Sequence, residues 1–97
     1  MAKQIRIGPR ATIGLKMTPE ERELLLEGAV LPSNRLGDVL RSADAGAQEV
    51  RLTLGDLAEL AGCVAAESRR TRDPKLRKKL DRIATRAERL MGMFQLT

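Results

Sequence analysis

The fold is decided by residues 53–94, TLGDLAELAGCVAAESRRTRDPKLRKKLDRIATRAERLMGMF. Two amphipathic patterns run through this stretch, with Arg72-Asp73-Pro74 between them. In the second, apolar residues fall at Leu76, Leu80, Ile83, Ala87, Leu90 and Phe94. Steps of four and three keep them on one helical stripe, and the alternation a strand needs is missing. The spacing predicts a helix over 74–94. At about 100° per residue, Lys75, Lys78, Lys79, Arg82, Arg86 and Arg89 form a second stripe beside the first. Asp81 and Glu88 fall away from it, so the charge is segregated.

The first pattern begins at Thr53, a good N-cap, with Asp56 placed to favour the helix dipole. Leu57, Leu60, Ala61, Val64, Ala65 and Ser68 make one face. Asp56, Glu59, Cys63, Glu67 and Arg70 lie opposite it or at its edge. Ala58, Ala61, Gly62, Ala65 and Ala66 make the helix thin. Gly62 costs up to about 1 kcal/mol of helix propensity relative to Ala, and close packing against a partner helix is the expected compensation. Asp73 caps the second helix, and Pro74 suits its first turn. The expectation is an antiparallel αα-hairpin over 53–96.

Leu52-Thr53-Leu54, Asp56-Leu57, Leu60 and Val64-Ala65-Ala66-Glu67, followed by Asp73, Lys75-Leu76, Lys78-Lys79-Leu80-Asp81 and Ile83, resemble a small bacterial protein family of uncharacterised function. The likeness is confined to the hairpin and implies no activity, cofactor or partner.

Between Arg69 and Arg82 there are eight Lys or Arg and two Asp, a balance of +6. The whole chain carries +5, which leaves −1 for all other residues. The basic character therefore belongs to one region. Arg69, Arg70, Arg72, Lys75, Lys78, Lys79, Arg82, Arg86 and Arg89 are the candidate residues for contacting phosphates or an acidic partner. Such a row also serves simply to keep a helix soluble, with its stems covering apolar edges.

Upstream, Ile5 and Ile7 alternate with polar residues, and Gly8-Pro9 marks a turn. Ala11, Ile13, Leu15 and Met17 alternate with Thr12, Gly14 and Lys16, a strand pattern that Gly14 weakens, by a bulge or a close approach. Residues 1–17 are expected to be extended, as a short β-hairpin from the two runs. Thr18-Pro19-Glu20-Glu21 is a strong helix start. Leu24 and Leu25 are the expected buried pair, with Gly28 as the stop. Pro32 and Ser33 break the chain, and Ser33 caps a helix over 34–43 that buries Leu36, Val39 and Leu40. Asp44-Ala45-Gly46 is a turn, and 48–52 is a short strand. Leu15-Lys16-Met17-Thr18 with Glu21 matches Val50-Arg51-Leu52-Thr53 with Asp56. Each reads as a strand running into a capped helix, and the two strands are candidates to pair.

With 97 residues, 42% hydrophobic and 32% charged, the chain is expected to form one globular domain. The fold class is α+β, mainly helical: short N-terminal strands, two short helices over 18–47, and the helical hairpin. Phe94 is the only aromatic residue, so the core is aliphatic. Such a core is thin, and a homodimer would cover its open side. Leu76, Leu80, Ile83, Leu90 and Phe94 are the candidate core or dimer seam. The sequence shows no run of about 18 apolar residues and no apolar signal core, so no membrane contact and a cytoplasmic location are expected.

The chain holds no His and one Cys, Cys63. That composition excludes the usual zinc ligand sets and His-dependent nucleophilic catalysis. No phosphate-binding loop, dinucleotide fingerprint or calcium loop is present. Glu20, Glu21, Glu23 and Glu27 open a helix, where acids partner the dipole. Neither an enzyme nor a cofactor is expected. With no Trp or Tyr there is no stacking platform for single-stranded nucleic acid. A ribbon-helix-helix reader needs its strand directly before its helices, and Gly8-Pro9 interrupts that order. A helix-turn-helix over 18–43 would be nearly neutral. The expected function is a non-enzymatic basic interaction protein, homodimeric, presenting its last helix to an acidic partner. The alternative is electrostatic binding to duplex nucleic acid.

Overall fold

A computed structural model describes residues 4–27, 34–43 and 46–96. The expected Gly28 stop, the Pro32-Ser33 break with its cap, and the Asp44-Ala45 part of the turn lie outside the described residues. The order is β1 (Ile5–Ile7), β2 (Thr12–Lys16), α1 (Pro19–Glu27), α2 (Asn34–Ser42), β3 (Glu49–Thr53), α3 (Leu54–Arg70), α4 (Pro74–Met91) and β4 (Phe94–Leu96). The class is α+β and mainly helical.

Helix starts follow the local chemistry. At α1, the Thr18 amide donates to Glu21 Oε1 at 2.9 Å and the Glu21 amide donates to Thr18 Oγ1 at 3.2 Å, a closed capping box. At α3, the Asp56 amide donates to Thr53 Oγ1 at 3.1 Å. At α4, Asp73 Oδ1 accepts from the amides of Lys75 at 3.0 Å and Leu76 at 3.4 Å. The Arg77 guanidinium closes the end of α3, its Nε donating to the Ser68 carbonyl at 3.2 Å and its Nη2 to that of Thr71 at 2.7 Å. These bonds use amides and carbonyls that helix ends leave without intrahelical partners.

The strands pair differently from the expected N-terminal hairpin. β2 pairs antiparallel with β3, Leu15 opposite Val50 and Ile13 opposite Leu52. β1 instead pairs in parallel with β4, Ile5 opposite Phe94 and Ile7 opposite Leu96. Burial decides between the partners. Ile13, Leu15, Met17, Val50 and Leu52 all point into the core and are buried, so matching β2 to β3 covers two complete apolar faces. The Glu49 side chain lies over Gly14, where a Cβ would meet its carboxylate. β1 is held by the C-terminal segment, the Ile5 amide donating to the Met93 carbonyl at 2.8 Å.

The last helix is also shorter than its apolar spacing predicts. α4 ends at Met91, the Gly92 amide donating to the Glu88 carbonyl at 3.1 Å, and Phe94 opens β4. Gly92 weakens helix continuation by up to about 1 kcal/mol relative to Ala. Pairing with β1 takes the chain from there. Phe94 therefore packs on the core from a strand, half-buried, rather than from the helical stripe.

The core joins Leu57, Leu60, Ala61 and Val64 of α3 to Leu80, Ile83, Ala84 and Ala87 of α4. The β2–β3 pair, Leu25 of α1, and Leu36 and Leu40 of α2 complete it. Leu24 and Val39 are half-buried at its margin. Gly62 is exposed, and a Cβ there would meet nothing within 4 Å. Close packing is therefore not its compensation; Ala61, Ala84 and Ala87 provide the narrow contact instead.

Candidate interaction surface

α4 divides the basic residues among three settings. Its apolar stripe faces the core. On the edge toward α3, the Ser68 hydroxyl donates to the Asp81 carboxylate, and Arg77 is occupied with the end of α3. Of the second stripe, Lys79 and Arg82 border α1, and Arg86 and Arg89 border β2.

Arg86 does not stand free on that stripe. Its Nη1 donates to the Lys16 carbonyl at 2.7 Å and to Glu21 Oε1 at 2.9 Å. One guanidinium thus ties α4 to the end of β2 and the start of α1. Burial alone would push the Glu21 carboxyl up. The Thr18 amide, the Arg86 guanidinium with its charge, and the Thr18 hydroxyl outweigh that and hold the carboxyl below its ordinary value. Arg70 is paired as well, its Nη2 lying 2.6 Å from Glu67 Oε2.

Arg69, Arg72, Lys75, Lys78, Lys79, Arg82 and Arg89 are exposed, and none forms an ion pair among the described residues. Lys79 and Arg82 share a cleft with Glu20, Glu23 and Glu27 of α1. The acids that sequence reasoning assigned only to the helix dipole thus also temper the middle of the basic row. Arg69, Arg72, Lys75 and Lys78 lie in or next to the link of residues 71–73 along the chain, and Arg89 lies in the last turn of α4.

The candidate seam residues are largely occupied within one chain. Leu80 and Ile83 are buried, and Leu76, Leu90 and Phe94 are half-buried against the same core. A seam through Leu80 and Ile83 would require this core to open.

Two buried charged groups escaped the sequence reading. Asp56, expected at the helix edge, is 5% exposed and sits 2.6 Å from Arg35 Nη2, an ion pair rather than an aligned hydrogen bond. Arg22 is 6% exposed; its Nη1 and Nη2 donate to the carbonyls of Ala43 at 3.2 Å and Ala47 at 3.3 Å. Its position beside Leu25 in a short helix was the available signal.

Among the described residues, no helix is long and apolar enough to cross a membrane. No protein-family model, curated protein or solved structure matches the chain.

Proposed function

We propose that this is a non-enzymatic interaction protein that offers Arg69, Arg72, Lys75, Lys78, Lys79, Arg82 and Arg89 to an acidic protein partner. One observation carries this reading: these cations are exposed and form no ion pair among the described residues, on two core-packed helices and the link between them. A fixed array of like charges raises the local concentration of counter-charged partners and accelerates their encounter.

α3 and α4 are inferred to form an antiparallel hairpin. The link of residues 71–73 spans roughly 10 Å when extended. A helix the length of α3 runs about 25 Å. The chain can therefore regain contact with α3 only by turning back, and the Ser68–Asp81 and Ser68–Arg77 contacts agree with that direction. On this inferred arrangement Arg69 and Arg72 stand next to the first cations of α4.

An acidic protein fits this surface better than a duplex. Phosphates laid along the flank would meet Glu20, Glu23 and Glu27 beside Lys79 and Arg82. A protein chain can distribute its acids around them. Self-association is not part of this reading, because the core occupies Leu80 and Ile83.

The test is fluorescence anisotropy with a labelled oligo-glutamate peptide and a labelled random-sequence duplex over a salt series. The peptide is expected to bind, to weaken steeply with salt, and to be lost in the Arg72→Glu/Lys75→Glu/Lys78→Glu variant with an unchanged melting curve. No binding of either probe at low salt overturns the proposal. Tighter binding of the duplex, with a salt slope of about −0.9 per phosphate contacted, favours the nucleic-acid alternative.

A further inference from the structure

We propose that the basic surface continues into an anchor pit for one bulky apolar side chain of the same acidic partner; this rests on the acidic-partner reading above. The pit is a shallow, open depression between β2 and the segment at the end of α4. Gly14, Leu90 and Met93 give its accessible apolar surface over the buried Leu15, and Lys16, Arg86 and Arg89 complete the lining. Its volume is about 240 Å³. That is below the roughly 300–1,000 Å³ of small-molecule sites, and it suits a single side chain.

Three observations specify the occupant. First, Met93 is 55% exposed although it lies beside half-buried Leu90, so the wall is apolar and unfinished. Second, the charged side chains that line it are the cations Lys16, Arg86 and Arg89, against one nearby acid, Glu49 over Gly14, and this net positive charge attracts a segment whose neighbouring residues are acidic. Third, Arg89 belongs both to the lining and to the basic flank of α4, making the pit continuous with the proposed surface. Arg86 reaches the Lys16 carbonyl beside the pit and holds the two sides together. A desolvated anchor ringed by polar contacts is the usual source of affinity at protein interfaces, whereas a phosphate backbone has no side chain to place there.

The anchor also supplies what the cation row lacks. Exposed charge pairs are individually weak and fade with salt, whereas apolar burial is not screened. A partner with both would remain bound under conditions that release a purely acidic segment.

The test begins with selection of a random peptide library on the immobilised full chain. Anisotropy then compares the best peptide with its apolar-to-Ser version. Selected peptides are expected to combine several Asp or Glu with one bulky aliphatic or aromatic residue. Replacing that residue by Ser is expected to weaken binding about tenfold or more. Met93→Ser should weaken the parent peptide similarly and leave the Ser peptide nearly unchanged. Lys75→Glu should weaken both peptides. Acidic peptides without an apolar preference, or a Met93→Ser effect equal for both, overturn the pit while leaving the basic surface intact. A selection that returns no acidic peptides overturns both readings.

Discussion

Replacing Arg86 by Met keeps an apolar stem of similar reach and removes the guanidinium. Two contacts go: a charged donor to the Lys16 carbonyl and an ion pair with Glu21. A hydrogen bond involving a charged group contributes roughly 1.5–3 kcal/mol to stability. The Arg86 side chain is 37% exposed, which places this bond toward the low end. The ion pair, similarly screened, adds about 0.2–1 kcal/mol. The expected loss is about 2 kcal/mol. For a domain of this size, roughly 4–8 °C of melting temperature accompanies each kcal/mol, so a drop of about 8–16 °C is predicted. Arg82→Met removes a cation of the same stripe that has no ion pair among the described residues, and it should stay within about 0.5 kcal/mol. Urea denaturation followed by circular dichroism measures both at one salt concentration. An Arg86→Met protein as stable as wild type, or equal losses at both positions, would refute the division of the stripe into structural and presented cations.

Gly62→Ala should stabilise α3 by up to about 1 kcal/mol, because the added Cβ meets open space; a destabilised variant in urea would contradict that placement. Leu80→Ala should cost about 2–5 kcal/mol, as for other fully buried leucines, and an effect below about 1 kcal/mol would remove Leu80 from the core. The Glu21 carboxyl is held below its ordinary value in the folded chain, so the unfolded chain binds the proton more readily. Its stabilisation is complete above the unfolded carboxylate range and is lost as pH falls through the folded value. Glu21→Gln should therefore flatten the acid limb of stability against pH, and an unchanged limb opposes this assignment. Light scattering should return a monomer near 10.7 kDa, and a dimer whose mass survives dilution would restore self-association.

Local signals carried much of the fold to the reader of the sequence. Thr18 with Glu21, Thr53 with Asp56, and Asp73-Pro74 marked helix starts, because capping depends on a few adjacent residues. The match between residues 15–17 and 50–52 pointed to the β2–β3 pair, since both strands bury the same alternating face. The β1–β4 pair was not legible. It joins residues nearly the whole chain apart, and Phe94 fits the helical spacing as well as a strand. Spacing alone does not say where a helix stops; Gly92 was the local signal. The candidate surface was partly legible. Helical periodicity placed the cations on one stripe. Which of them are engaged depended on α1 crossing near α4, and the Arg86 clamp depends on that long-range arrangement. Asp56 and Arg22 were missed for the same reason: their partners, Arg35 and the carbonyls of Ala43 and Ala47, come from distant segments.

The most direct measurement is an amide chemical-shift map of the isotope-labelled protein titrated with oligo-glutamate at low salt. The account predicts saturating shifts at Arg69, Arg72, Lys75, Lys78 and Arg89, smaller ones at Lys79 and Arg82 beside the α1 acids, and none along α2. Shifts spread evenly over the chain, or concentrated away from the α3–α4 turn and the α4 flank, would contradict it.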